Sequence, residues 1–329
     1  MTMSKLPTRR NAVIAMMCAA SAAIAPDLAL AQEFPFKPIR IVVGFGPGVG
    51  MEVSTRLMAD LLAKELGQTV LVENKAGAST MIAAQAVATA PKDGYTVLML
   101  NNQTNNMPLL SKNVPYKLTD FTPVAAGGLV SMVMAVSKSV PIKTGREFIA
   151  YAKANPDKLN YAYWGAGGTP HLMAARLEQA TGVKMQGVGY KDPAQATTDM
   201  VSGRVHLFFT SATHGMGLAS AGHVNIVAVG TPQRMASMPD VPTFAESGIE
   251  GMPNPWWGYG VPTGTPPDVI AKLERAIKAA VAAPAYQEML TKTGSVPLVV
   301  ESPAKFQEFM SRDQERWAAA IRPLNLKMD

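Results

Sequence analysis

Short apolar runs alternate with stretches of helical periodicity along most of this chain. Ile39-Arg40-Ile41-Val42-Val43 is a β-branched run and predicts a strand. A glycine-rich turn over 44–50 follows it. Then Val53, Leu57, Leu61 and Leu62 fall at helical spacing, and the stretch ends near Gly67. Thr69-Val70-Leu71-Val72 predicts the next strand, 80–90 an Ala-rich helix stopped by Pro91, and 95–100 a third strand. The alternation resumes with a helix over 146–154, a strand over 161–163 and a helix over 170–180. An extended run at 185–190, a helix over 195–201 and strands over 205–209 and 225–229 follow. From Pro267 onward the chain reads as helical, over 269–282, 285–290 and 305–321, with Ser302 capping the last stretch. Strands alternating with helices at this spacing predict α/β layers built on a mainly parallel sheet. Two βαβ sets, near 38–130 and 140–230, predict two lobes with a ligand cleft between them.

The first 31 residues break this pattern. Lys5, Arg9 and Arg10 precede an apolar stretch, and Ala29-Leu30-Ala31 fits a small-x-small cleavage site, so 1–31 reads as a secretory signal. The stretch is short for a membrane anchor. The Arg9-Arg10 pair leaves Sec and twin-arginine export both open. Cleavage after Ala31 removes Lys5, Arg9, Arg10 and Asp27, which takes the net charge from +6 to +4. It also removes Cys18, the one cysteine, and with it thiol catalysis. The expectation is a periplasmic protein. The lobes are expected at 32–134 plus 231–329 and at 135–230.

Composition narrows the function. Of 329 residues, 48% are hydrophobic and 16% charged, so disorder is excluded. The basic excess is small and unclustered, which argues against nucleic acid. The turn at 44–50 has glycines at 44, 46, 48 and 50. A dinucleotide loop needs one at 49 or 51, where Val49 and Met51 stand. It reads either as a structural turn or, better, as an anion site made of backbone N–H groups at a helix N-terminus. Residues 165–171, Gly-Ala-Gly-Gly-Thr-Pro-His, repeat the arrangement in the second set, with Thr169 expected to cap its helix. His171, His206, His214 and His223 lack metal-site spacing, and His206 reads as a satisfied sheet residue. Gly77-Ala78-Ser79-Thr80-Met81 starts like a nucleophile elbow but lacks its last glycine. Trp164, Trp256 and Trp257 read as packing residues before stacking platforms.

Taken in order, several segments resemble one family. They are Phe36-Lys37-Pro38-Ile39-Arg40 with the glycine turn, Val72-Glu73-Asn74-Lys75-Ala76-Gly77-Ala78, and Pro91-Lys92-Asp93-Gly94-Tyr95-Thr96. Asp120-Phe121-Thr122-Pro123-Val124, the 165–172 turn, Met238-Pro239-Asp240-Val241-Pro242-Thr243 and Pro262-Thr263-Gly264-Thr265-Pro266 continue the set. The chain resembles the Bug-family, TctC-like periplasmic solute-binding proteins of tripartite tricarboxylate transporters, from about Phe34 to the end. The resemblance implies a two-lobe, type II periplasmic-binding fold. It also implies a small carboxylate ligand, a dicarboxylate or aromatic acid, held between the two glycine-rich loops. The implied partners are that ligand and membrane transporter subunits, with the chain acting as a monomer and with no cofactor, metal or catalysis. A sensor kinase partner or an exported hydrolase are the alternatives.

Ligand-binding residues are expected in the first loop at Phe45, Gly46, Pro47, Gly48, Val49, Gly50 and Glu52. After the third strand they are Asn101, Asn102 and Gln103. In the second set they are Gly165, Ala166, Gly167, Gly168, Thr169 and His171, with Tyr190, Thr210 and Ser211 at strand ends. The sequence departs from the family pattern where Gly44 and Gly46 replace prolines, Val49 a glycine, and Glu52 and Thr210 aspartates. The first loop is therefore expected to be more flexible and, at Val49, narrower.

Overall fold

The computed structural model describes residues 33–47, 50–164, 168–190 and 193–321. The signal segment 1–31 with Cys18, and the site positions Gly48, Val49, Gly165, Ala166 and Gly167, lie outside the described residues. One packed unit begins at Lys37.

Its first half starts as the apolar runs predict. Strands β1 (Ile39–Val43), β2 (Val70–Asn74) and β3 (Thr96–Asn101) pair in parallel through β1. Helix α1 (Gly50–Leu66) follows β1, α2 (Met81–Ala88) follows β2, and α3 (Asn102–Leu110) follows β3. Strands β4 (Phe121–Val130) and β5 (Met132–Ser137) come next, separated by Ser131 alone. The second half continues with α4 (Gly145–Ala154), β6 (Asn160–Trp164), α5 (Thr169–Thr181) and β7 (Gln186–Tyr190). Then come α6 (Pro193–Val201), β8 (Leu207–Ser211), α7 (Ala212–Ser220) and β9 (Val224–Val229). The chain returns through β10 (Trp256–Pro262), α8 (Pro267–Ala282), α9 (Pro284–Lys292), the short β11 (Ser295–Val296) and α10 (Pro303–Ile321).

These strands make two sheets, ordered β11-β4-β10-β3-β1-β2 and β7-β6-β8-β5-β9. The sheets are mixed, which corrects the mainly parallel expectation. β10 is antiparallel to both β3 and β4, and β5 is antiparallel to both β8 and β9. The reason is topological. β4 runs out of the first sheet into β5, and the β9 side returns into β10, so each crossing strand enters its new sheet from the opposite end. The crossing is tied across its two runs: Val130 N–H donates to the Pro255 carbonyl at 2.8 Å and Gly230 N–H to the Met132 carbonyl at 2.7 Å.

Each sheet carries its own apolar core. One joins Val42, Leu98, Leu100, Phe121, Trp256 and Phe306; the other joins Met134, Phe148, Tyr161, Met173, Leu207 and Phe209. Trp256 and Trp257 are buried, as packing residues should be. Helix α10 links the halves. Its Phe306 and Met310 pack with the first core, while Trp317, Ala320 and Ile321 meet Leu172 of α5. Among the described residues, no helix is long and apolar enough to cross a membrane.

Candidate functional site

Strand direction brings the predicted loops to one junction. β1, β3 and β4 run the same way, because β10 is antiparallel to β3 and β4 alike. β4 therefore leaves the first sheet at the edge where β1 and β3 end. β5 is antiparallel to β8, and β8 is parallel to β6, so β5 enters the second sheet where β6 and β8 end. Each ending strand passes directly or through a short turn into a helix. The N-termini of α1, α3, α5 and α7 thus gather at these two edges. Each presents the positive end of a helix dipole, and at α3 and α7 the Asn101 and Ser211 side chains and the Ser131 carbonyl already accept first-turn N–H groups. Neighbouring β1 and β3 set Phe45 beside the start of α3; neighbouring β6 and β8 set Trp164 level with Thr210.

The first edge is built as follows. Pro47 is exposed, and Phe45 and Gly46 are half-buried. Asn74, at the end of β2, donates from Nδ2 to the Phe45 carbonyl at 2.9 Å and to Glu52 Oε1 at 3.3 Å. Arg56 Nη2 pairs with Glu52 Oε1 at 2.6 Å and donates to Asn74 Oδ1 at 2.9 Å. Glu52 is thus buried one turn into α1 and neutralised by Arg56 (its side chain is 1% exposed), so its carboxylate braces the loop rather than confronting an anion. Asn101 also departs from its expected role as a side-chain ligand. It is the N-cap of α3, and its Oδ1 accepts the N–H groups of Gln103 at 2.9 Å and Thr104 at 3.0 Å. Asn102 is buried and Gln103 exposed.

Gly44 is buried, and a Cβ there would stand 2.6 Å from Thr80 Cβ and 2.9 Å from Thr80 Cα. Thr80 ends a turn in which Ala78, Ser79 and Thr80 all have positive φ, of 45°, 49° and 74°. Three consecutive non-glycine residues in this region carry strain, and such strain concentrates at functional sites. Thr80 is held by its Oγ1 contact with Thr104 Oγ1 at 2.9 Å. Sequence reasoning weighed these residues only as a failed nucleophile elbow. The signal it had was their place, directly after the second sequence segment shared with the family.

The second edge holds Gly168, Thr169, His171, Tyr190, Thr210 and Ser211. Gly168, not Thr169, is the N-cap of α5, with Pro170 in the first turn. Leu172 N–H donates to the Gly168 carbonyl at 3.0 Å. The Thr169 hydroxyl is thereby released from the capping role expected of it, because Thr169 is itself the first helical residue. His171 is buried and stacks on Tyr163, ring centroids 4.2 Å apart at 14°. Burial holds its pKa below the usual histidine value, which favours the neutral ring. Tyr190 donates to Asp199 Oδ2 at 2.9 Å; burial first, and that carboxylate second, push its phenol up to about 12. Thr210 is buried with Oγ1 3.0 Å from His214 Nδ1, and burial lowers the His214 pKa. Ser211 caps α7, accepting the His214 N–H at 3.4 Å. His206 is satisfied as expected: its Nδ1 accepts the Asn160 N–H at 3.1 Å.

The described groups at both edges are therefore helix N-termini, neutral amides and hydroxyls, a compensated Glu52–Arg56 pair, and an Asp199 carboxylate that Tyr190 and Arg204 hold. Among the described residues no cluster of His, Cys, Asp and Glu is arranged to hold a metal. The arrangement suits a small anion bound by backbone dipoles.

Comparison with known proteins bears on the same residues. The family model described as "Tripartite tricarboxylate transporter family receptor" matches residues 54–326, which leaves β1 and the first glycine turn outside the matched range. BugT of Bordetella pertussis is 31% identical over 328 residues, 98% of this chain and 99% of that protein. A solved Rhodopseudomonas palustris protein with adipate is 30% identical with a TM-score of 0.71, covering 90% of this chain and 99% of that one. MatC from the same organism, with bound malate, is 28% identical with a TM-score of 0.67, covering 88% and 100%. The chain belongs to the TctC receptor family, the Bug-type solute-binding proteins, and has their two-lobe α/β periplasmic-binding fold.

Proposed function

We propose that this protein captures a small organic carboxylate, a dicarboxylate or an aromatic acid, between the two strand-end edges. It then delivers the acid to a tripartite tricarboxylate-type membrane transporter. The observation that carries this reading is the convergence of four helix N-termini on one junction of two sheets. Backbone N–H groups there meet a carboxylate with little reorganisation. The adipate and malate of its two solved relatives are of this ligand class. The lobes expected at 32–134 plus 231–329 and at 135–230 shift to 32–131 plus 253–329 and 132–252, because β5 from Met132 pairs in the second sheet and Phe244, Ile249 and Met252 pack in the second core; Ser131 serves as a hinge position. An acid that touches both edges binds the closed state better and so draws the lobes together. The chain performs no catalysis, acts as a monomer and works in the periplasm after cleavage behind Ala31.

Within the site, the N–H groups of Phe45, Gly46 and the first turn of α1 face one carboxylate, together with Gly168 and the Thr169 hydroxyl. Gln103 and Ser211 reach the distal end. Thermal unfolding against matched acids and amides tests the reading. A one-site ligand at 100 times its dissociation constant adds about 2.7 kcal/mol, a rise in Tm of several degrees. The expected result is a rise with one class of acids and none with the matching amides. Equal shifts with acid and amide, or none with any acid on ligand-free protein, overturn the proposal.

A further inference from the structure

A cavity of about 610 Å³ lies beside the crossing strands and shares no residue with the candidate acid site. One wall is the segment that follows β9. Its Met235 packs with Val133 and Val229 of the second sheet and Ala212 of α7. The opposite wall is Leu129 of β4 with Val296 and Leu298, which pack with the first core. The cavity therefore spans the two halves of the molecule. Its volume is of the size that encloses a small molecule.

The chemistry of the lining selects the occupant. Thr231, Thr291, Ser295 and Arg234 among its polar groups have partners within the chain. Thr231 Oγ1 donates to the Gln233 carbonyl, and Thr291 Oγ1 donates to the Gln287 carbonyl at 3.0 Å. Arg234, the cation that lines it, is paired with Glu246 at 3.0 Å. A carboxylate entering here meets a cation whose charge Glu246 already compensates. An apolar body finds Leu129, Met235, Val296, Pro297 and Leu298, with Val299 beside them 83% exposed to water. We propose that this cavity is a second ligand site, which takes an uncharged, apolar-bodied small molecule of about two-ring size. Its ligand differs in charge from that of the acid site, and it stands whether or not the acid reading does.

The uncharged dye N-phenyl-1-naphthylamine, whose emission rises in apolar surroundings, is the probe. Titrated into the purified protein, it is expected to bind saturably with one site per chain. Ala236 lines the cavity at an exposed position, so Ala236→Trp fills the space without disturbing a core. That variant is expected to weaken the dye at least tenfold. Leu298→Lys, which puts a charge on the opposite wall, is expected to do the same. Thr169→Ala, at the acid site, is expected to leave dye affinity within twofold. Each variant is checked for wild-type cooperative unfolding, and either wall variant alone suffices. Non-saturable binding, binding that survives both wall variants, or binding lost in Thr169→Ala overturns the proposal; the last places the dye in the acid cleft. Failure of acid binding leaves all of these readings intact.

Discussion

Asp313 gives this protein a pH-dependent stability that one substitution removes. The residue sits on α10, 2% exposed, where the Trp256 indole donates to its Oδ2 at 2.6 Å. Burial pushes its pKa up to about 7 from 3.8, although Trp256, Arg316 and Asn105 pull the other way. A carboxyl whose folded pKa is raised keeps its proton longer in the native state. The stability it contributes is full below about pH 4 and is lost as pH rises through 7. A shift of about three units, at 1.36 kcal/mol each, corresponds to roughly 4 kcal/mol between those limits. Asp313→Asn keeps an oxygen to accept from Trp256 but never ionises. An imperfectly placed amide costs about 1 kcal/mol. The variant should therefore be about 2–3 kcal/mol more stable than wild type at pH 8, and equal or slightly less stable at pH 4.5. Urea unfolding of both proteins at pH 4.5, 6, 7 and 8 measures the difference, in which all other titrating groups cancel. A variant less stable than wild type at pH 8, or a difference that does not change with pH, would refute the reasoning. The consequence reaches beyond stability, because α10 carries Asp313 between the first core and Leu172, one turn from Thr169.

Two further predictions separate binding from structure at the two edges. Asn101→Ala removes the cap of α3 and should lower stability by about 0.5–2 kcal/mol, read by denaturant midpoint. A midpoint unchanged within error would show that the Oδ1 bonds to Gln103 and Thr104 contribute nothing net. Thr169→Ala should leave Tm within about 1 °C, since Gly168 caps the helix. It should weaken a bound acid at least several-fold by calorimetry, and unchanged affinity would remove Thr169 from the site.

The legible parts of this fold were those whose local pattern and tertiary role agree. Ile39–Val43 is a buried parallel strand and looks like one, because its β-branched residues meet core on both faces. The strands that cross between the sheets escaped notice for a physical reason. β4 and β10 contain Gly127, Gly128, Gly258 and Gly260, which read as turn residues. Here Gly127, Gly128 and Gly258 make room for rings and Gly260 for Leu100. A Cβ at Gly128 would stand 2.4 Å from the Trp257 ring, and one at Gly258 2.4 Å from Phe306. The partner that explains each glycine is remote in sequence. α3 was missed because Asn102-Gln103-Thr104-Asn105-Asn106 has poor helix propensity. It is held from outside, by Asn105 Nδ2 donating to the Met310 carbonyl at 2.8 Å and Tyr116 donating to the Thr104 carbonyl at 2.7 Å. The connections from β1 to α1 and from β6 to α5 were legible, since glycines stand where a strand run gives way to helical spacing. The bracing of Glu52 by Arg56 and Asn74 was not, because Asn74 comes from a neighbouring strand.

The departure at Gly44 is coupled to the strained turn at Thr80, and that coupling is measurable. Any side chain at 44 meets not only the Thr80 methyl but its Cα, which cannot swing aside as a flexible chain end would. Gly44→Ala alone should therefore destabilise by about 1–3 kcal/mol, the usual range for overpacking. Thr80→Gly gives up the contact with Thr104, worth about 1 kcal/mol, but relieves a left-handed threonine at φ 74° by a similar amount, so alone it should be near neutral. Together, the missing Cβ at 80 makes most of the space that the new Cβ at 44 needs. The double variant should recover at least half the loss of Gly44→Ala, an interaction energy of about 0.5–1.5 kcal/mol. Strict additivity in chemical denaturation would mean that the two residues do not constrain one another. In that case the small residue at 44 answers to the ligand rather than to the turn beneath it. Acid affinity of the Gly44→Ala protein, compared with its stability, separates those causes: a loop shaped by Thr80 loses both, and a loop shaped for the ligand loses affinity alone.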